Sequence, residues 1–395
     1  MKILVVQDHL RSGGTERQSV LLAHTFAAAG HATTLLTFRP GGALAATVAP
    51  AVARHTLQPF DTHLDWFAPA LARFVTHLAP DVILCMGRMA NCRAGGLQRR
   101  LPHATVIATM RTGKRLPHLY RRSLLLAGHV VANSHEAARV LTAKYAVPPE
   151  KITVIHNSLV FPPDSAWDTM TLANPETPSG LTPSAPTSDI PSSALRTPHS
   201  SPAGLALRAA HHATHATTVL LCVAMFRPEK NHRALVELAA RLPRDADWQL
   251  WLAGEGETRP ACAALAHQLG LAGRVKYLGF QADPTPLYSA ADIAVLASQS
   301  ESLPNFLIEA QAHGLPAVAC DVGGVRECFL PGQTGWAVPS GDAGAFLAAL
   351  TPLLTDPARR TSLASAARGF ARESFSPAKQ AAAYLNLFAR LHRTA

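Results

Sequence analysis

Short apolar runs, each stopping at a glycine or polar loop and followed by helical spacing, occur in two series along this chain. That alternation restricts the fold more than any single motif. Residues 3–6 open the first series, followed by 33–38, 81–85, 104–109 and 130–132; the second comprises 219–224, 249–253, 275–278, 293–297 and 317–320. Continuously apolar strands punctuated in this way belong to parallel sheets covered by helices on both faces. The chain therefore reads as α/β, with two doubly wound Rossmann-like domains, and 395 residues at 48% hydrophobic content suffice for two cores. The first domain is expected over 1–160 and the second over 218–375, with a helical segment at 376–395. Between them, residues 161–217 are rich in Pro, Ser, Thr and Ala and poor in large apolar side chains, so a flexible linker insertion is expected there.

Within the second series, the run ending at Ala297 stops at SQSESLPNFLIEA, residues 298–310, where a polar loop turns into a helix. In open parallel sheets ligands sit beyond the carboxyl ends of the strands, where the next helix presents unpaired N–H groups and partial positive charge. Such a helix start suits a phosphate. Glu301 lies in the loop and Glu309 about two turns further along, so the two acids can reach polar groups on either side of that phosphate. A sugar nucleotide has this layout, whereas a solvated helix face is the plainer explanation of the pair taken alone. In the first series, Gly13-Gly14 follows the opening strand. Glycines there let backbone N–H groups approach a phosphate, although a tight turn would use them equally.

The series Asp292, Glu301, Glu309-Ala310, His313-Gly314-Leu315-Pro316 and Gly323-Gly324 resembles the donor-binding half of the retaining family 4 glycosyltransferases, and Gly14 matches a glycine-rich start found in that family. The resemblance implies the GT-B fold, two Rossmann-like domains facing across a cleft, with the C-terminal helix crossing back to the first domain. It implies a ribose contact for Glu309 and a donor-sugar or phosphate contact for Glu301. The backbone of Ser302, Leu303, Pro304, Asn305 and Phe306 would wrap the diphosphate, and Lys230 would stabilise the leaving group. The family often has arginine or asparagine five residues before that lysine, where this chain has Met225, and Arg227 is the expected substitute. Arg111 stands where many members place a histidine. It remains protonated and is no base, so it is expected to hydrogen-bond the donor or an anionic acceptor group. Ser158 replaces the glycine usual after Asn157.

The same resemblance implies a metal-independent, retaining transfer of a sugar from a nucleotide-sugar to a glycan, lipid-linked, in cell-surface polysaccharide (lipopolysaccharide-type) assembly, with no cofactor. Two alternatives remain at this point: a nucleotide-sugar epimerase of the same fold, and a basic membrane-associated scaffold with a degenerate donor site. A net charge of +10 and a pI near 9.7 favour an anionic partner. Nucleic acid is disfavoured, because aromatics are only 6% and no finger or helix-turn-helix spacing occurs. Residues 114–126 mix cations with an apolar stripe and suit an anionic membrane surface as well as an ordinary solvated helix. No signal-peptide core or membrane-length run is present, so a cytoplasmic location is expected, peripheral on the inner face of the membrane. The six cysteines show no Cys-x-x-Cys spacing, and His211, His212 and His215 sit in low-complexity sequence, so no metal site is expected.

Overall fold

The computed structural model describes residues 1–11, 13–159 and 201–393. The first sheet contains β1 (Lys2–Gln7), β2 (Ala32–Thr37), β3 (Ala53–Thr56), β4 (Val82–Cys85), β5 (Thr105–Met110), β6 (His129–Ala132) and β7 (Ile152–Val154), ordered β3-β2-β1-β4-β5-β6-β7. The second contains β8 (Thr218–Val223), β9 (Trp248–Ala253), β10 (Val275–Gly279), β11 (Ile293–Leu296), β12 (Ala317–Cys320) and β13 (Gly335–Val338), ordered β10-β9-β8-β11-β12-β13. Every pairing between these strands is parallel. Strand order reverses between β1 and β4 and between β8 and β11, and crevices for ligands open at such reversals. The loops leaving β8 and β11 carry Lys230 and Glu301, and Gly14 opens the helix that follows β1.

The first lobe is covered by α1 (Gly14–Ala28), α2 (Leu71–Leu78), α3 (Arg88–Arg100), α4 (His118–Leu126) and α5 (His135–Tyr145). The second carries α6 (Pro202–Ala210), α7 (His232–Ala239), α8 (Arg259–Gln268), α9 (Thr285–Ala290), α10 (Asn305–Ala312), α11 (Ala343–Thr355) and α12 (Pro357–Ser374). Side chains of β1 alternate between two cores: Leu4 and Val6 join one, Ile3 and Val5 the other. The final helix, α13 (Pro377–Arg393), returns to the first lobe, burying Tyr384, Leu387 and Phe388 in the core that holds Ile3, Val5 and Phe26.

One expectation is corrected. Residues 201–217 were assigned to the linker, but α6 lies there and packs on α9. Ser201 caps it, its side chain accepting from Gly204 N, and Pro202 occupies the first turn, where its missing N–H costs nothing. Arg208 anchors the helix from inside: its guanidinium donates to Ala290 O at 2.6 Å and reaches Asp292 at 3.3 Å, and both side chains are buried. Asp292 in turn accepts from Val219 N at 2.8 Å, tying helix and sheet together. The rest of the expected linker, 161–200, lies outside the described residues. Strands β3 and β13 were not anticipated. β3 is an edge strand of sequence ARHT with no buried residue, so no apolar pattern marks it.

Candidate active site

The loop after β11 meets the loop after β8 first. Gln299 N donates to Glu229 O at 2.8 Å, and Lys230 Nζ donates to Glu301 Oε1 at 2.5 Å. Lys230 closes a single turn, Pro228–Lys230, and Asn231 beyond it adopts a left-handed conformation (φ 51°), which turns the chain sharply into α7. Gly323 (φ 57°) packs against the same loop: a Cβ there would sit 2.0 Å from Glu301 O. Gly324 N donates to Ser302 O at 2.9 Å. The backbone of the loop after β11 is thus held from two sides, which fixes where Glu301 projects.

Helix α10 starts at Asn305 with no side-chain cap and no acid in its first turn, so its positive end is open. Facing it across the lobes is the start of α1. A Cβ on Gly14 would approach Asn305 Nδ2 to 2.8 Å, so any larger residue there would displace the Asn305 side chain. Glu16, in the first turn of α1, folds back over Gly13, and burial raises its pKa. Asn305 Oδ1 also accepts from Asn157 Nδ2 at 2.6 Å, and Ser302 Oγ bonds Asn133 Oδ1 at 2.5 Å. Both of these bonds join one lobe to the other.

Two cavities flank this junction. One, of about 320 Å³, is lined by Glu301, Ser300 and Ser302 from the second lobe and by Thr112, Lys114 and Tyr145 from the first. The other, of about 430 Å³, is lined by Asn305, Glu309, Tyr288 and His313 opposite Arg17 and Gln18 of α1. The segment from Glu301 to Glu309 therefore runs from one cavity to the other. Tyr288 OH donates to Glu309 Oε2, and the Tyr288 ring stacks on His313 at 5.0 Å. Burial is the main cause of the raised pKa of Glu309, and the Tyr288 hydrogen bond opposes it; burial likewise pushes the Tyr288 phenol well above its usual value.

Of the residues singled out in the sequence, Glu301, Lys230, Ser302, Asn305, Glu309 and Gly14 converge on this cleft. Leu303 and Phe306 belong to the second-lobe core and Pro304 is buried, so these three present backbone only. Arg227 is exposed, close enough to Glu16 to interact electrostatically. Arg111 donates from its guanidinium to Asn157 Oδ1 and, at 3.4 Å, to Tyr384 OH, and lines neither of these two cavities. Its partner Asn157 in turn bonds Asn305 at the start of α10. Asn133, Asn157, Arg17 and Tyr288 were missed. Their partners lie far away in sequence, apart from Tyr288, whose position inside a short apolar helix gives no polar signal. Among the described residues, one set of His and acidic side chains has metal-ligand proximity, His135, His156 and Glu327, and it does not include His211, His212 or His215.

Two parallel Rossmann-like lobes closed over an interlobe cleft define a GT-B protein. Both lobes match sequence families: Glycosyltransferase Family 4 over residues 12–159 and Glycosyl transferases group 1 over residues 206–370. The chain is accordingly a GT-B member related to these glycosyltransferase families. Among curated relatives, the lipopolysaccharide core biosynthesis glycosyltransferase LpsE of Rhizobium meliloti is 35% identical over 43% of this chain and 49% of its own length. A D-inositol 3-phosphate glycosyltransferase of Thermobispora bispora is 30% identical over 68% of this chain and 58% of its own length. The chain thus spans about half the length of such relatives. In fold, it superposes on Anabaena HepE in complex with UDP and glucose with a TM-score of 0.78 at 20% identity, covering 99% of this chain and 100% of that one.

Proposed function

We propose that this protein is a retaining glycosyltransferase that moves a sugar from a nucleotide-sugar donor to a glycan, lipid-linked, in the assembly of cell-surface polysaccharide. The observation that carries this reading is the uncapped start of α10, with Gly14 against Asn305, Lys230 bonded to Glu301, and Glu301 in one flanking cavity and Glu309 in the other. A diphosphate seated there would receive backbone N–H groups and an ammonium, which stabilise the negative charge that develops as it leaves. The nucleoside would then extend towards Glu309 and the sugar towards Glu301 and the first lobe. Two relatives agree with the pathway: LpsE is a lipopolysaccharide core biosynthesis glycosyltransferase, and a Vi polysaccharide biosynthesis protein of Salmonella typhi is 34% identical over 31% of this chain.

Metal independence is part of the same proposal, since Lys230 and the helix start supply the positive charge. The test is a panel of nucleotide sugars incubated in EDTA with and without glycan acceptors, followed by NMR of the products. Acceptor-dependent transfer that keeps the donor's anomeric configuration is the expected result. Conversion of the donor sugar without acceptor would identify an epimerase instead, and loss of turnover in EDTA that excess magnesium or manganese, but not zinc, restores would remove the metal-free mechanism.

The lipid-linked acceptor implies a membrane surface. No helix of the described residues is long and apolar enough to cross a membrane. On α4, Leu119, Leu125 and Leu126 are exposed next to the exposed Arg122, while Tyr120, Ser123 and Leu124 face the core. Exposed Phe60 and Trp66 lie on the same lobe. Such a mixture of apolar and cationic side chains favours peripheral docking on anionic lipid. Flotation with anionic vesicles, but not with neutral ones, is the expected outcome; equal recovery from both would count against docking.

A further inference from the structure

His135 is the first residue of α5, His156 follows β7 at the end of the first lobe, and Glu327 lies in a single turn of the second lobe, Val325–Cys328. In sequence they are far apart. In the fold, one potential ligand atom from each lies within 4.8 Å of the others. We propose that these three side chains form a zinc-class metal site that bridges the two lobes beside the first cavity, independent of the sugar-transfer reading.

The donor set is the first argument. Two imidazoles and one carboxylate, with a fourth position left to water, match the ligand types and number that Zn²⁺ accepts, whereas Mg²⁺ and Ca²⁺ call for more oxygen ligands. The orientation of the carboxylate is the second. Glu327 Oε2 accepts from His135 N at 2.8 Å and Oε1 accepts from Glu136 N at 3.1 Å, so the start of α5 holds the carboxylate in place from behind. Backbone donors of this kind orient a ligating carboxylate and leave it free lone pairs. His156 Nε2 lies 2.8 Å from Glu327 Oε2, a separation bridged by one shared proton. A metal ion would replace that proton, and the nitrogen and oxygen would move apart to roughly 3.2–3.5 Å, the edge of a tetrahedron with ordinary zinc bond lengths. His135 is exposed and His156 half-buried, which leaves a path for the ion to enter.

The ligands come from both lobes, so the complete set exists only when the lobes are together. A metal bound there would favour the closed arrangement by its differential affinity for it.

The test uses the full chain stripped with a chelator that is then removed, titrated with zinc sulfate against a chromophoric competitor. His135→Ala is the clean variant, because it deletes the ring and keeps the backbone N–H that donates to Glu327. Glu327→Gln is the second variant, and its thermal unfolding without metal checks that the lobes still fold. The wild-type chain should bind one zinc at least about tenfold more tightly than either variant, and magnesium should not compete. Small-angle scattering should show zinc compacting the wild-type chain and leaving His135→Ala unchanged. Equal stoichiometry and affinity in wild type and His135→Ala would mean that zinc binds elsewhere among the histidines, and would overturn the proposal.

Discussion

Replacing Lys230 with alanine should lower kcat by about 10²–10³-fold, the usual cost of deleting one preorganised charge aimed at a developing anion. Lys230 Nζ is bonded to Glu301 at 2.5 Å, and Gln299 N fixes its loop to the Glu301 loop through Glu229 O, so the ammonium is held where the two loops meet. Negative charge grows on the diphosphate only as the glycosidic bond breaks. The loss should therefore appear mainly in kcat and much less in KM, because ground-state binding is shared with the start of α10. Lys230→Arg should recover only part of the activity, since a planar guanidinium cannot occupy the site of a compact ammonium beside Glu301. Steady-state kinetics with the donor and acceptor found in the panel decide this. A KM effect with unchanged kcat would reduce Lys230 to a binding residue.

Glu309→Gln should weaken donor binding by about 10–100-fold, corresponding to the roughly 1.5–3 kcal/mol of a hydrogen bond to a charged group. The carboxylate lines the second cavity, and Tyr288 OH takes one of its oxygens, leaving acceptor capacity for ribose hydroxyls. Burial raises the pKa of Glu309, which sets the sign of a pH effect. Acceptance from the ribose needs the charged form, so donor affinity should fall as pH drops through this raised pKa, and Glu309→Gln should abolish that dependence. Tyr288→Phe is the companion variant: with its phenol removed, the carboxylate loses a fixed donor and its aim, so donor affinity should also fall, but by less. Titration calorimetry from pH 5 to 8 reads both. A pH dependence that survives in Glu309→Gln would assign it to another group.

Both sheets were legible because their central strands are buried on two faces and read as unbroken apolar runs, as in Ile3, Leu4, Val5 and Val6, all nearly inaccessible to solvent. Edge strand β3 was not, since ARHT buries nothing and carries no period. Helix α6 was hidden by its composition, although Ser201 followed by Pro202 is a helix-start signal, and only the fold reveals that Arg208 is buried against Asp292. Within the site, the Glu301 loop, Lys230 and Glu309 were readable from their places after apolar strands. The junctions between lobes were not: Asn157 with Asn305, Ser302 with Asn133, Lys114 with Glu229 at 2.7 Å, and Glu327 with His156 each join residues more than a hundred positions apart. Local spacing contains no information about which loops of two separate sheets will meet.

The central claim is that a nucleotide sugar lies along the segment from Glu301 to Glu309 with its diphosphate at the start of α10. A crystal structure with the donor selected by the panel tests this most directly. The account predicts the diphosphate within hydrogen-bonding distance of the 302–306 backbone, near Gly14 and Lys230, with Glu309 on the ribose and Glu301 on the sugar side. A nucleotide bound outside the interlobe cleft, or one that touches neither glutamate, would contradict it.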